Sequence, residues 1–364
     1  MLKNSVSFPR TDSMKFFKTL NQRVNQYFTD KGIKRTGNAK LWFKTVIMFG
    51  IFLSPYFLLL TLDLPGWFQL LLTIIMGVGM AGVGMNVMHD ANHGSFSSKS
   101  WINRLMGSSI YLLAGNVYNW KVQHNVLHHT YTNVHGHDED LEAGRILRFS
   151  KHTEWRKHHK FQHYYSVLLY GLLTINWAIT TDFIQMFRYM KRGLSYGKFP
   201  SPVANWSKLV VSKILYAMIW IIIPMLLHLV WWKVIIGFFL MHYTAGLILS
   251  IVFQLAHVMD EAEMPLPQED GLMANTWAIH QLKTTVNFAR KNKLVNWYTG
   301  GLNHQVEHHI FPNISHIHYG KIAKIVRETA AEFGLPYKEY GSMRQAITAH
   351  FAYLKHLGAE PKMA

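Results

Sequence analysis

The chain contains no cysteine, which excludes disulfides, iron–sulfur clusters and thiolate metal sites. Any metal must be held by nitrogen or oxygen, and 22 histidines make nitrogen the first donor to consider. Charge is scarce as well. Asp, Glu, Lys and Arg together make up 16% of the 364 residues, against 49% hydrophobic and 14% aromatic. That balance leans towards a membrane protein, and the length suits two soluble domains or one membrane body with cytosolic additions. Acidic residues are few, 20 against 37 Lys and Arg, for a net charge of +17. Such an excess suits an anionic membrane face or an acidic partner. Nucleic acid is the competing reading, and the apolar runs argue against it. No signal peptide is visible, because residues 1–40 are polar and basic.

Two paired apolar runs stand out. The first pair is LWFKTVIMFGIFLSPYFLLLTLDL and GWFQLLLTIIMGVGMAGVGMNVM, parted by a turn at Leu64-Pro65-Gly66. The second is KLVVSKILYAMIWIIIPMLLHLVWW and VIIGFFLMHYTAGLILSIVFQLA, parted at Lys233. Each run supplies roughly the 20 apolar residues that a bilayer crossing needs. The expected fold is therefore an all-α membrane protein, four transmembrane helices in two hairpins with a cytosolic helical cap. Nine Lys and Arg lie in residues 1–40, thirteen in 89–206 and eleven in 257–364, while the hairpin turns carry only Lys233. By the positive-inside rule those three parts and both termini face the cytoplasm, which in a bacterium makes this an inner-membrane protein. Trp67, Trp231 and Trp232 beside the turns fit an interfacial belt.

Weaker apolar stretches at 105–118 and 164–181 read as helices in or on the cytosolic interface. In the segment DSMKFFKTLNQRVNQYF, Phe16, Phe17, Leu20, Val24, Tyr27 and Phe28 share one helical face. That face suits either the membrane interface or packing on the cytosolic part. YGKIAKIVRETAAEFGLP reads as an amphipathic helix closed by Gly334 and Pro336. The implied division is an N-terminal interfacial segment (1–40), a membrane body with its histidine-bearing segments (41–335) and a helical tail (336–364). No internal repeat beyond the hairpins and no low-complexity segment is present.

The histidines concentrate at the cytosolic ends of these spans. His89 and His93, in HDANHGS, are i and i+4 and share one helical face. His124, His128 and His129 follow in QHNVLHHTYTN, and His304, His308 and His309 in GGLNHQVEHHIFP repeat the same H-x3-H-H spacing. His257 ends the fourth span. The supply exceeds one tetrahedral site, and no box contains the glutamate of a zinc-protease HExxH motif, so a site for two metals is the economical reading. Imidazole alone does not choose among iron, copper and zinc. Asp90, Asn133, Asp138 and Asp140 stand beside the boxes and are candidates to orient ligand rings, or simply to cap loops. His228 and His242, inside spans, read as packing or interhelical hydrogen-bonding residues. KHTEWRKHHKFQHYY reads as a solvated basic face. Arg145, Arg148, Arg188, Lys191 and Arg192 lie where a CoA or phospholipid head group would sit, and attraction to the membrane surface accounts for them equally well.

Three boxes with GGLNHQVEHHIFP as the third, on a four-span body, resemble the membrane fatty acid desaturase family over about residues 40–335. The resemblance implies a non-haem di-iron centre that uses O2 to remove two hydrogens from an acyl chain of an acyl-CoA or acyl-lipid. The ligands it implies are His89, His93, His124, His128, His129, His257, His308 and His309, with no further catalytic residue. Many members carry histidine where this chain has Gln305. Glutamine there is typical of front-end desaturases, which act between an existing double bond and the carboxyl end. Spacing favours His304 as the remaining third-box ligand, and resemblance favours Gln305. Residues 281–301, just before the third box, are a candidate lining for the acyl chain. No His-Pro-Gly-Gly haem loop of a fused cytochrome b5 occurs in the sequence, so a separate ferredoxin or cytochrome b5 is the implied electron donor. The competing readings are a related di-iron hydroxylase or carotenoid oxygenase. A metal transporter is disfavoured, because its ligands belong at the bilayer midplane. A haem carrier would need facing histidines inside the spans, where only His228 and His242 are candidates.

Overall fold

The computed structural model describes residues 6–10, 15–142, 144–197 and 201–359. Helix dominates, and the sole sheet among the described residues is a two-residue parallel pair, Asn287–Phe288 with Glu339–Tyr340. The chain divides into two compact units. One comprises Gly37–Val126 and Val167–Ile251; the other comprises Met1–Thr36, Leu127–Ser166 and Val252–Ala364.

Four helices are long and apolar enough to cross a membrane: Ala39–Thr61, Gly66–Asn92, Pro202–Leu227 and Trp231–His257. They are the runs expected from the sequence. The first starts where the Asn38 side chain accepts a hydrogen bond from the Lys40 amide, a polar cap on an otherwise apolar segment. Between the first two helices the chain turns at Leu62–Pro65, and Pro65 leads directly into the second. The second does not stay α-helical to its end. A π turn, Gly84–Met88, precedes His89 and re-aims the last helical turn, His89–Asn92. The third carries a π turn at Met218–Ile222, just before Pro224, whose missing N–H already interrupts the ladder.

Residues 164–181, expected as one interfacial helix, belong instead to a bent pair, Lys157–Gly171 and Leu173–Lys191, inclined at 56°. A fifth crossing would need that pair to act as a single span. Its bend lies where Gly171 meets Gly246 of the fourth long helix: a Cβ on Gly246 would come within 2.5 Å of the Gly171 carbonyl oxygen. Lys213 of the third long helix donates to the Trp177 carbonyl at 2.7 Å and pairs with Asp182 at 2.7 Å. Asn119 donates to the same carboxylate at 3.0 Å. His242 lies 2.6 Å from the Tyr216 hydroxyl and 2.9 Å from that of Thr174, and His228 donates to the Leu60 carbonyl. Both histidines are the interhelical hydrogen-bonding residues that their sequence positions indicate.

In the other unit the N-terminal helix Phe16–Lys31 chooses between its two possible partners. Phe16, Leu20, Val24 and Phe28 are buried against Val306, Ile310 and Phe311 of the third-box segment and Ile322 and Val326 of the helix Tyr319–Glu332. Arg23 closes the contact with a 2.7 Å ion pair to Glu332. The helix Tyr319–Glu332 stops at Gly334 (φ 66°), as expected. A last helix, Met343–Gly358, docks through His350, whose Nδ1 donates to the Val258 carbonyl at 2.9 Å.

Candidate metal centre

Box by box, the structure collects the predicted histidines into three-imidazole groups. In the membrane-helix unit, His89 and His93 leave the end of the second long helix, and His124 comes from a π-helical turn, Lys121–His128. One nitrogen from each of these three lies within 4.8 Å of the others. Ring centroids are 4.7 Å apart for His89–His93 and 5.2 Å for His93–His124. Trp120, with its ring 4.5 Å from that of His124, walls the group on one side.

The second unit gathers five more. His128, His257 and His309 bring one nitrogen each within 4.8 Å of one another, and so do His129, His308 and His309. His309 is common to both groups. All five rings are buried. The Nε2 atoms of His129 and His308 face each other at 3.0 Å, an approach that two imidazoles aimed at one cation would make.

Partners around these rings fix which nitrogen is offered. His128 Nδ1 donates to both carboxylate oxygens of Asp138, at 2.9 and 3.0 Å, which leaves Nε2 as its donor to a metal. Burial acts to depress the His128 pKa, but the charge and hydrogen bond of Asp138, helped by Asp140, outweigh it and hold the imidazole above its ordinary value. His309 Nδ1 donates to the Gln281 amide oxygen at 3.0 Å, again selecting Nε2. Thr132 donates to the same Gln281 oxygen at 2.8 Å. His308 Nδ1 lies 3.1 Å from the Tyr319 hydroxyl. Buried, all-imidazole and backed by oxygen partners, this donor set fits first-row metals.

The two third-box candidates differ in their surroundings. Gln305 opens the short helix Gln305–Ile310 and is buried, and its Oε1 makes no hydrogen bond among the described residues. His304 falls outside the three-imidazole groups. Its Nδ1 lies 3.6 Å from Glu307, whose carboxylate accepts from Asn287 at 3.0 Å and Tyr337 at 2.8 Å. His316 and His318, the rest of the dense stretch, also lie outside these groups. His318 makes a 3.3 Å hydrogen bond to the Thr36 carbonyl.

A model of the fatty acid desaturase family matches residues 65–341. The chain belongs to that family. This desaturase is 37% identical over 352 residues to the sn-1 linoleoyl-lipid 6-desaturase of Arthrospira platensis, covering 96% of this chain and 94% of that protein. Identity to the enzyme of the same name from Synechocystis is 33%, covering 96% of this chain and 97% of the relative. The acyl-lipid (8-3)-desaturase of Physcomitrium patens is 31% identical across 98% of this chain and 74% of its own length.

Among the four residues expected to orient ligands in this desaturase, Asp138 touches a ring directly, and Asp140 lies 3.9 Å from the same His128 Nδ1. Asp90 stands 3.9 Å from His89. Asn133 acts on backbone instead, donating to the carbonyls of His257 and Glu263. Sequence reasoning missed Thr132, Gln281 and Tyr319. Gln281 opens the stretch expected to line the acyl chain, but its side chain serves His309, 28 positions away. Arg148, grouped with head-group candidates, is buried and spends its guanidinium on the carbonyls of Lys151, Thr153 and Leu357. Within the basic run 151–165, His159 and Gln162 are fully buried rather than solvated.

Proposed function

We propose that this protein is a di-iron, O2-dependent front-end desaturase of acyl lipids, with the boxes on the cytosolic side. The observation that carries the reading is the pair of buried three-imidazole groups sharing His309, in a member of the desaturase family whose third box has glutamine at its first position. Irons bound here would supply the O2-derived oxidation that an unactivated C–H bond requires. His89, His93 and His124 from one unit, and His128, His129, His257, Gln305, His308 and His309 from the other, are the ligands we assign. Asp138 and Gln281 hold His128 and His309 as the tautomers that present Nε2. Tyr319 backs the His308 ring and Thr132 the His309 ring, and burial of the rings excludes water. Relatives named for linoleoyl-lipid support an acyl chain already esterified in a lipid over an acyl-CoA, with the new double bond on the carboxyl side of an existing one. A separate ferredoxin or cytochrome b5 delivers the electrons, and the basic surface suits an acidic donor.

The test is expression in a host fed linoleate, followed by lipid-class-resolved fatty acid analysis. A new double bond on the carboxyl side of position 9 in lipid-bound chains is expected, absent for His128→Ala and His308→Ala. A hydroxylated product would replace this reading with that of a related hydroxylase.

A further inference from the structure

Beside the second box lies a cavity of about 180 Å3 that the metal site does not use. It is smaller than the roughly 300 Å3 at which pockets begin to take drug-sized molecules, so it suits a chemical group rather than a whole lipid. Lys121, Tyr118 and Asn116 line it from the segment leading into the second box, Tyr196 from the chain before the third long helix, and Asn205 and Lys208 from that helix's first turns. No carboxylate lines it among the described residues. Lys121 stacks over the Tyr196 ring at 5.4 Å, and Lys208 is exposed. Neither ammonium has an ion-pair partner among the described residues. Asn205 is 7% exposed, and its Nδ2 makes no hydrogen bond among the described residues. A buried amide donor without an acceptor is costly unless something fills the role. Burial also pulls Lys121 below the ordinary lysine value, with no acid nearby to offset it.

We propose that this cavity binds the anionic oxyanion group of a lipid, a phosphate or sulfonate, and so anchors the head of the substrate. Two ammonium groups and a waiting amide N–H ask for an acceptor carrying negative charge. The location gives the anchor a purpose. Lys121 begins the π-helical turn that carries His124, three residues on. An enzyme that counts from the carboxyl end must hold that end at a fixed place relative to its metal, and a head-group clamp one turn from a ligand does so. This inference rests on the acyl-lipid reading above, but its test reads binding and not turnover.

Thermal unfolding of the iron-loaded full chain in neutral detergent is followed while short-chain phosphatidylglycerol, a neutral galactolipid or inorganic phosphate is added. Phosphatidylglycerol should stabilise at concentrations at least tenfold below the galactolipid. Lys208→Gln and Asn205→Leu should each raise the required concentration at least tenfold. Asn205→Leu leaves every charge in place, so a loss there separates a built site from general attraction to a basic surface. If it fails to fold, Asn205→Asp tests the same donor by repelling the anion. Three results overturn the proposal: equal response to the galactolipid, full stabilisation by inorganic phosphate alone, or weakening by Lys208→Gln with no change at Asn205. A desaturase without the expected product would still bind, so the two readings fail separately.

Discussion

At the scale of single residues, the third box separates what spacing can tell from what surroundings decide. His304 and Gln305 compete on spacing alone. His304 turns toward Glu307, whereas Gln305 keeps a buried amide oxygen that makes no hydrogen bond among the described residues. Gln305→Ala should therefore cost at least tenfold in turnover, and His304→Tyr should keep most of it. Product assays beside iron content check this, and an inactive but folded His304→Tyr with active Gln305→Ala reverses the assignment. The clustering of the histidines was legible because a metal site would demand one donor type at a set spacing. Thr132, Gln281 and Tyr319 were not, because an oxygen that steadies a ring can come from any segment folding brings near. His350 gives a prediction of another kind. Burial pulls its pKa from 6.5 down to about 4. The unfolded chain then binds the extra proton between those values, so the contribution to stability is full above pH 6.5 and falls as pH drops toward 4. The shift amounts to about 3 kcal/mol at most. Melting curves between pH 7 and 5 should show a smaller acid loss for His350→Phe than for the parent. Parallel acid losses would remove His350 as their source.

Elements were legible in proportion to their length. Each of the four long helices carries enough apolar residues to announce itself. The π turns at Gly84–Met88, Lys121–His128 and Met218–Ile222 carry no compositional mark, since one extra residue per turn changes geometry and not hydropathy. Nor was the bend after Gly171, which depends on the approach of Gly246 from a distant helix. The same region supplies a polar joint inside apolar surroundings: Asp182, 4% exposed in its side chain, joined to Lys213 and Asn119. Removing one partner leaves the other buried and uncompensated, at a cost of about 3–5 kcal/mol. Asp182→Leu should accordingly destabilise the detergent-solubilised protein strongly, and adding Lys213→Met should restore much of the loss. Equal melting temperatures for the single and double variants would show that the pair is not coupled.

For the whole molecule, the expected all-helical membrane body with four long apolar helices is what the structure contains, because hydropathy and helix length are both properties of the chain taken in order. The grouping of residues 1–36 with 252–364 in one compact unit was not legible, since no local pattern links segments so far apart. Metal removal probes this scale. Buried imidazoles that hold a cation in the folded state and not in the unfolded one tie stability to the ion. Chelation should lower the melting temperature and abolish turnover. Zinc should restore much of the stability without the turnover, and iron should restore both at about two ions per chain. Zinc-supported desaturation would remove the oxidative mechanism.

The N-terminal helix also sets a timetable. Arg23 donates to Thr329, 306 positions further on, across the seam where Phe16, Leu20 and Val24 are buried. A ribosome adding roughly 5–20 residues per second needs about 15–60 s to make that partner. During this interval this helix is already out while the surface that will cover it has not been synthesised. Its apolar face stays uncovered until then, so a helix made early is among the late ones to find its place.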